Sequence, residues 1–167
     1  SGGLWFVAVD DDGSIERERT RRDRRGYTLV PDGDRFLLLG QQFSGDGPRL
    51  WASSIASTGR KRWSETYDIE GYASDALPTD DGTVLVGPTR DTNTTTGSFV
   101  AEIGSDGSRR WHRTYAPDEL SVVRSVTAGD DGVLVGGWTG TNAGGDAWLF
   151  AVDGDGARQW ARTYDFS

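Results

Sequence analysis

Three observations in the amino-acid sequence predict an all-β fold built from repeated hairpins. A large aromatic residue recurs at nearly constant spacing along the chain. Each copy opens a short apolar run that closes on a turn glycine. No window of helical length carries apolar residues at a 3.6-residue period, the pattern an amphipathic helix needs. Internal repetition of this kind governs the whole fold, because one short unit cannot bury its apolar face without neighbours.

The recurring aromatics are Trp5, Trp51, Phe99 and Trp148, separated by 46, 48 and 49 residues. They open the apolar runs 5–9, 51–55, 99–103 and 148–152, and the turn glycines Gly13, Gly59, Gly107 and Gly156 follow. Four residues beyond each glycine stand Arg17, Trp63, Trp111 and Trp160, and Tyr67, Tyr115 and Tyr164 follow four residues after the tryptophans. Strands of four to eight residues bounded by Asp-Gly or Thr-Gly read as hairpins, because glycine accepts positive φ and Asp bonds its own backbone.

A second hairpin type lies between these. Its turn glycines are Gly33, Gly82 and Gly132, and its apolar runs 36–39, 84–86 and 133–135 each end in glycine. Weaker strand signals precede these turns, near 27–30, 74–77 and 125–128. Two hairpins make four strands, the content of one propeller blade. The predicted fold is therefore a single β-propeller-type repeat domain over 1–167, about three and a half four-stranded blades of roughly 48 residues. Counted from the first aromatic, the repeats run approximately 4–49, 50–97, 98–146 and, in part, 147–167.

The stretches 58–63, 105–111 and 151–160, with the sequences TGRKRW, SDGSRRW and AVDGDGARQW, resemble the tryptophan-docking repeats of quinoprotein-like (PQQ-like) β-propellers. The resemblance extends, as repeats, over nearly the whole chain, and is similar to surface or secreted propellers of haloarchaea. It implies blade-to-blade packing by the tryptophans and an extracellular or cell-surface setting. The enzymes of that family hold a quinone and calcium through residues outside this motif and often use a vicinal Cys pair. This chain has no Cys, and no cofactor-binding, catalytic or metal-ligating set is carried over, so no cofactor is expected.

Composition narrows the function classes. The chain has 26 acidic and 18 basic residues, a formal charge of −8, with 20 Asp, 17 Arg and Lys61 as its one lysine. An Asp-rich, Lys-poor surface holds water strongly and suits high salt, where charge repulsion is screened. It is a poor prior for nucleic-acid binding, and no apolar run approaches the ~18 residues of a membrane-spanning helix. Thiolate metal sites and disulfides are excluded by the lack of Cys. The lone His112 is read as a structural residue, since no strained G-x-S-x-G nucleophile accompanies it. The Asp-rich turns 10–13 and 153–156 lack the ligand spacing of a calcium loop and are read as hairpin turns.

The residues singled out for interaction are those that break the repeat. Arg17, Arg19, Arg21, Arg22, Arg24 and Arg25 form a basic cluster in an acidic chain, at the place where the first copy lacks its Trp and Tyr. Trp138 lies out of register and is the candidate exposed aromatic. Asn93 heads an Asn-Thr-Thr glycosylation sequon, in keeping with an exported protein. An incomplete ring exposes strand edges, so further chain or a partner is expected to complete it. The expected function is non-enzymatic: a binding or structural module for protein–protein or cell-surface contacts, with a protein partner or self-association. The alternatives are a structural subunit of a filament or virion, and a fragment of a quinoprotein-like or glycan-processing enzyme.

Overall fold

A computed structural model describes residues 3–45, 47–90, 96–115, 120–140 and 145–165. The protein is all-β, with four antiparallel sheets that follow one another along the chain. A two-stranded hairpin, β1 (Leu4–Val9) and β2 (Ile15–Arg21), comes first. The first four-stranded sheet is β3 (Arg24–Asp32), β4 (Arg35–Ser44), β5 (Gly47–Ala56) and β6 (Lys61–Thr66). The second is β7 (Asp75–Pro78), β8 (Gly82–Arg90), β9 (Thr96–Gly104) and β10 (Arg109–Tyr115). The third is β11 (Ser121–Gly129), β12 (Gly132–Thr139), β13 (Asp146–Asp153) and β14 (Arg158–Tyr164). Each is a meander in which sequence neighbours pair.

Both hairpin types expected from the turn glycines are present. The sheets, however, cut the repeat one hairpin out of step with a count from Trp5. Their boundaries are 4–21, 24–66, 75–115 and 121–164, so the two-stranded remainder falls at the start. The period is the same in either phase. The aromatics that reveal it mark how sheets dock, and the backbone pairing that defines a sheet carries no such marker.

Strict alternation of side chains builds a core on each side of a sheet. Leu37 and Leu39 of β4 join Leu50 and Ala52 of β5 against Leu85, Phe99, Ala101 and Ile103 of the second sheet. Leu38, between the two leucines, points the other way and joins Trp51 and Ile55 against Leu4 and Phe6 of the hairpin. Val84, Val86 and Val100 leave the opposite face of the second sheet and meet Val123, Val135, Trp148, Phe150 and Val152 of the third. The order is hairpin, first sheet, second sheet, third sheet, with a core between each pair of neighbours. Burying an aromatic such as Trp148 contributes about 2–3 kcal/mol.

One local feature repeats at all four hairpins of the first type and was not legible in the sequence. The register slips by one residue just beyond the turn, at Ala8/Val9, Ser54/Ile55, Arg109/Trp111 and Ala151/Val152. Such a bulge leaves one residue unpaired and re-aims those that follow. Here it sets Arg17 opposite Ala8, Trp63 opposite Ser54, Trp111 opposite Glu102 and Trp160 opposite Ala151. Arg17, Trp63 and Trp111 thereby lie on the face turned toward the next sheet in the chain, and Trp160 lies on the corresponding face of the third sheet.

Candidate interaction surfaces at the ends of the stack

The junctions between sheets are built from the repeated residues. Trp63 lies over the backbone of Gly107 in the β9–β10 turn, so closely that a Cβ there would stand 2.8 Å from the indole. Its Nε1 donates to the Ser105 carbonyl at 2.9 Å, and the Tyr67 hydroxyl donates to the Gly107 carbonyl at 2.8 Å. The next junction repeats the ring-over-glycine and tyrosine contacts, while the Trp111 indole donates to Glu102 of its own sheet at 2.7 Å. Trp111 lies over Gly156 in the β13–β14 turn, where a Cβ would stand 2.7 Å from the ring, and the Tyr115 hydroxyl donates to the Gly156 carbonyl. Arg113 donates to the Asp155 carbonyl at 3.1 Å. Burial raises the Tyr67 hydroxyl far above its ordinary pKa and pushes that of Tyr115 up to about 12. Both are therefore fixed as neutral donors.

Arg17 fills the tryptophan position of the hairpin. Its guanidinium lies 3.1 Å from where a Cβ on Gly59 would stand, in the turn between β5 and β6. The substitution read from the sequence as a break in the repeat is thus a polar version of the same dock. The rest of the arginine cluster divides. Arg24 is woven into the first sheet, with Nη1 3.2 Å from Ser64 Oγ, Nη2 3.3 Å from Gln42 Oε1, and its Cζ 4.6 Å from the centre of a Trp51 ring. Arg25 lies over Phe43 at 5.1 Å. Arg19, Arg21 and Arg22 are exposed. The cluster spans β2, a bend and the start of β3.

At the two ends of the stack the same positions are bare. Trp51, Phe99 and Trp148 are 3%, 0% and 2% exposed, yet Trp5 is 62% exposed on the outer face of the hairpin. Val9 and Ile15 beside it are also exposed, and the Trp5 indole donates to Glu18 at 2.7 Å. At the other end, Trp160 and Tyr164 are 43% and 41% exposed. The register places them on one face of the third sheet with Leu134, Leu149 and Trp138. Trp138 is half-buried there, with Gly145 against its ring. It belongs to the face that in the earlier sheets receives a neighbour. Asn93 lies outside the described residues.

The remaining polar chemistry is tied up locally. Asp10 Oδ1 accepts the amides of Asp12 and Ser14 at 3.0 and 2.8 Å, and Asp153 Oδ1 accepts those of Asp155 and Ala157 at 3.1 and 2.8 Å. Both carboxylates close their own turns. An open groove follows the seam between Glu65–Asp68 and Asp106–Arg109. In it the Ser108 hydroxyl and amide hold the Asp106 carboxyl below its usual range. Among the described residues no group of three His, Cys, Asp or Glu side chains is placed to hold a metal ion. His112 pairs with Ala101 on the face opposite Trp111, as alternation requires, and its ring tilts against Phe99 at 6.2 Å. Burial and the nearby Arg109 lower its pKa, and its Nε2 is buried without a hydrogen-bond partner among the described residues. No described helix is long and apolar enough to cross a membrane.

No protein-family model matches the chain, and no curated protein is significantly similar to it.

Proposed function

We propose that the chain is a non-enzymatic, β-propeller-type binding or structural module that acts through protein–protein contacts at an extracellular or cell surface. One observation carries the reading. Trp63, Tyr67, Trp111 and Tyr115 join successive sheets, and Trp5, Trp160 and Tyr164 of the same repeat stand exposed among the described residues. Exposed aromatics grouped on a flat sheet face are a recognised signature of protein contact surfaces. The successive meander sheets, docked edge-turn to tryptophan, support the propeller arrangement. The acidic, arginine-rich composition supports a salt-rich setting, and the exposed Arg19, Arg21 and Arg22 supply a basic patch for an acidic protein surface.

The test is made on the purified protein and in extract of its source cells. The protein is expected to carry no quinone absorbance and no stoichiometric metal. A photoreactive benzoylphenylalanine in place of Trp5 is expected to cross-link to protein. A stoichiometric quinone or metal, or the absence of any protein adduct, would overturn the reading.

A further inference from the structure

Charge is sorted by place within the sheets. The last strand of each sheet, β2, β6, β10 and β14, is an edge, with the sequences IERERTR, KRWSET, RRWHRTY and RQWARTY. Ten of the chain's 18 basic residues lie on these strands, against three of its 26 acidic ones. The strands beside them, β1, β5, β9 and β13, hold one basic residue, Arg49. A chain of net charge −8 therefore carries a basic strip along the edge of every sheet. β10 is the clearest case, with three arginines and no acid. The first and third sheets are both in place around it, and its edge is open all the same. Among the described residues, no main-chain hydrogen bond of Arg109–Tyr115 leaves the pairing with β9.

The register gives this edge a positive charge on both faces. Arg109 pairs with Ile103, on the face turned to the first sheet. Arg113 pairs with Val100, on the face turned to the third. Both are exposed, and neither makes an ion pair among the described residues. Arg110, the extra residue of the bulge, is the one that is paired, with Nη1 3.0 Å from Glu102 Oε1. Charge on an edge keeps sheets from adding to one another. Either sign does that, so protection alone does not account for arginine on the edges of an acidic chain. The forked guanidinium fits a carboxylate, and opposite charges across a strand pair attract. Trp111 and Tyr115 are packed onto Gly156, which leaves the strand without the ring platform that stacks nucleic-acid bases.

We propose that β10 takes an extended acidic segment of a partner protein as a fifth strand on its open edge. The inference rests on the protein-binding reading above and names the partner's chemistry. The segment's main chain pairs with the free N–H and C=O groups beyond the bulge, over Trp111–Tyr115. Its carboxylates lie beside Arg109 on one face and Arg113 on the other. The two kinds of contact divide the work. Salt screens the charges far more than the main-chain bonds, which therefore hold the segment in a salt-rich setting. The charges select, drawing an acidic strand and repelling the basic edge of another copy.

The experiment is amide hydrogen exchange of the full 167-residue chain, read strand by strand while a short blocked peptide of alternating Glu and Thr is titrated in. At about 1 mM peptide, exchange in β10 is expected to slow about tenfold or more. A peptide with Lys in place of Glu reverses the charge. One with Pro in place of Thr keeps the charge and cannot donate to a ladder. Both are expected to act on β10 about tenfold or more weakly. Arg109→Glu combined with Arg113→Glu is expected to exchange the preference, so that β10 responds to the Lys peptide in place of the Glu peptide. Circular dichroism confirms the fold, and Arg109→Glu alone is the second variant should the pair misfold.

Unslowed exchange in β10, an equal effect of the Pro peptide, or an unchanged preference in the variant would each overturn the proposal. So would a single-stranded oligonucleotide of equal charge that protects β10 more than the peptide does. Benzoylphenylalanine in place of Thr114, used in extract of the source cells, separates this from the broader reading. Linkage to an acidic segment of a protein supports the proposal. Linkage to a segment that is not acidic, or no adduct at position 114 with one at position 5, overturns it and leaves the protein-binding reading standing. No protein adduct at either position overturns both.

Discussion

The glycines of the receiving turns are the residues on which a junction stands. At Gly107 and Gly156 two demands coincide, a positive φ and an indole at van der Waals distance. Gly107→Val or Gly156→Val is expected to destabilise the fold by about 2–4 kcal/mol, combining left-handed strain with overpacking. Urea midpoints check this. Gly13→Asn, which meets no neighbour among the described residues, is expected to fall within about 1 kcal/mol of the parent. Tyr115→Phe keeps the ring and loses one buried hydrogen bond to the Gly156 carbonyl, a cost of about 1 kcal/mol. His112 sets an acid limit. Its folded pKa lies below the ordinary 6.5, so the unfolded chain takes up the proton first. Its contribution is complete above pH 6.5 and is lost as pH falls through that value toward the folded one. His112→Gln is expected to flatten the fall in urea midpoint below pH 6.5; an unchanged slope would place the acid sensitivity elsewhere. The face on which His112 lies was legible from its place after Trp111. That its Nε2 has no partner among the described residues was not, because that depends on which sheet comes to lie against it.

Among the elements, the hairpin of β1 and β2 is the least secured. The first and second sheets are joined by Trp63, Tyr67 and the leucine-rich core between them, and the second and third by Trp111, Tyr115 and a valine-rich core. The hairpin has Leu4 and Phe6 against Leu38, Trp51 and Ile55, with Arg17 in the tryptophan's place. Its backbone amides are therefore expected to exchange with solvent first, by local opening, while β8, β9, β12 and β13 are protected to the global limit. Hydrogen exchange resolved along the chain checks the order, and equal protection of all four sheets would contradict it. Arg17→Trp restores the repeat and is expected to slow exchange in β2. The hairpins themselves were legible, since Asp-Gly turns and aromatic spacing are local signals. The phase of the sheets was not, because main-chain pairing between hairpins leaves no side-chain signature. The bulges were equally hidden: a spacing of four residues between glycine and tryptophan reads the same with or without one.

The whole molecule behaves as a one-dimensional stack, in which stability is close to a sum over layers and the seams between them. Leu39→Ala in one core and Val135→Ala in the next are expected to destabilise by about 2–5 and 1–4 kcal/mol respectively. Since they occupy separate cores, the double variant is expected to cost the sum to within about 0.5 kcal/mol. A large departure would mean that the second sheet transmits strain between its faces. The candidate surface was half legible. The sequence marked the arginine cluster and Trp138 as departures from the repeat. It also placed Trp5, Trp160 and Tyr164 in the repeat with the packed aromatics, and these stand exposed on the first and last described sheets. The receiving turns carry one last implication. What they present to the indole is carbonyl oxygen and the absence of a side chain, so the residues around the glycine are free to drift, as Ser-Thr, Ser-Asp, Gly-Asp and Asp-Asp before the four glycines already show. A coupling read through backbone alone cannot tell one such turn from another. Sheets of diverged sequence would remain interchangeable at it, and docking out of order would follow unless the surrounding charges enforce a choice.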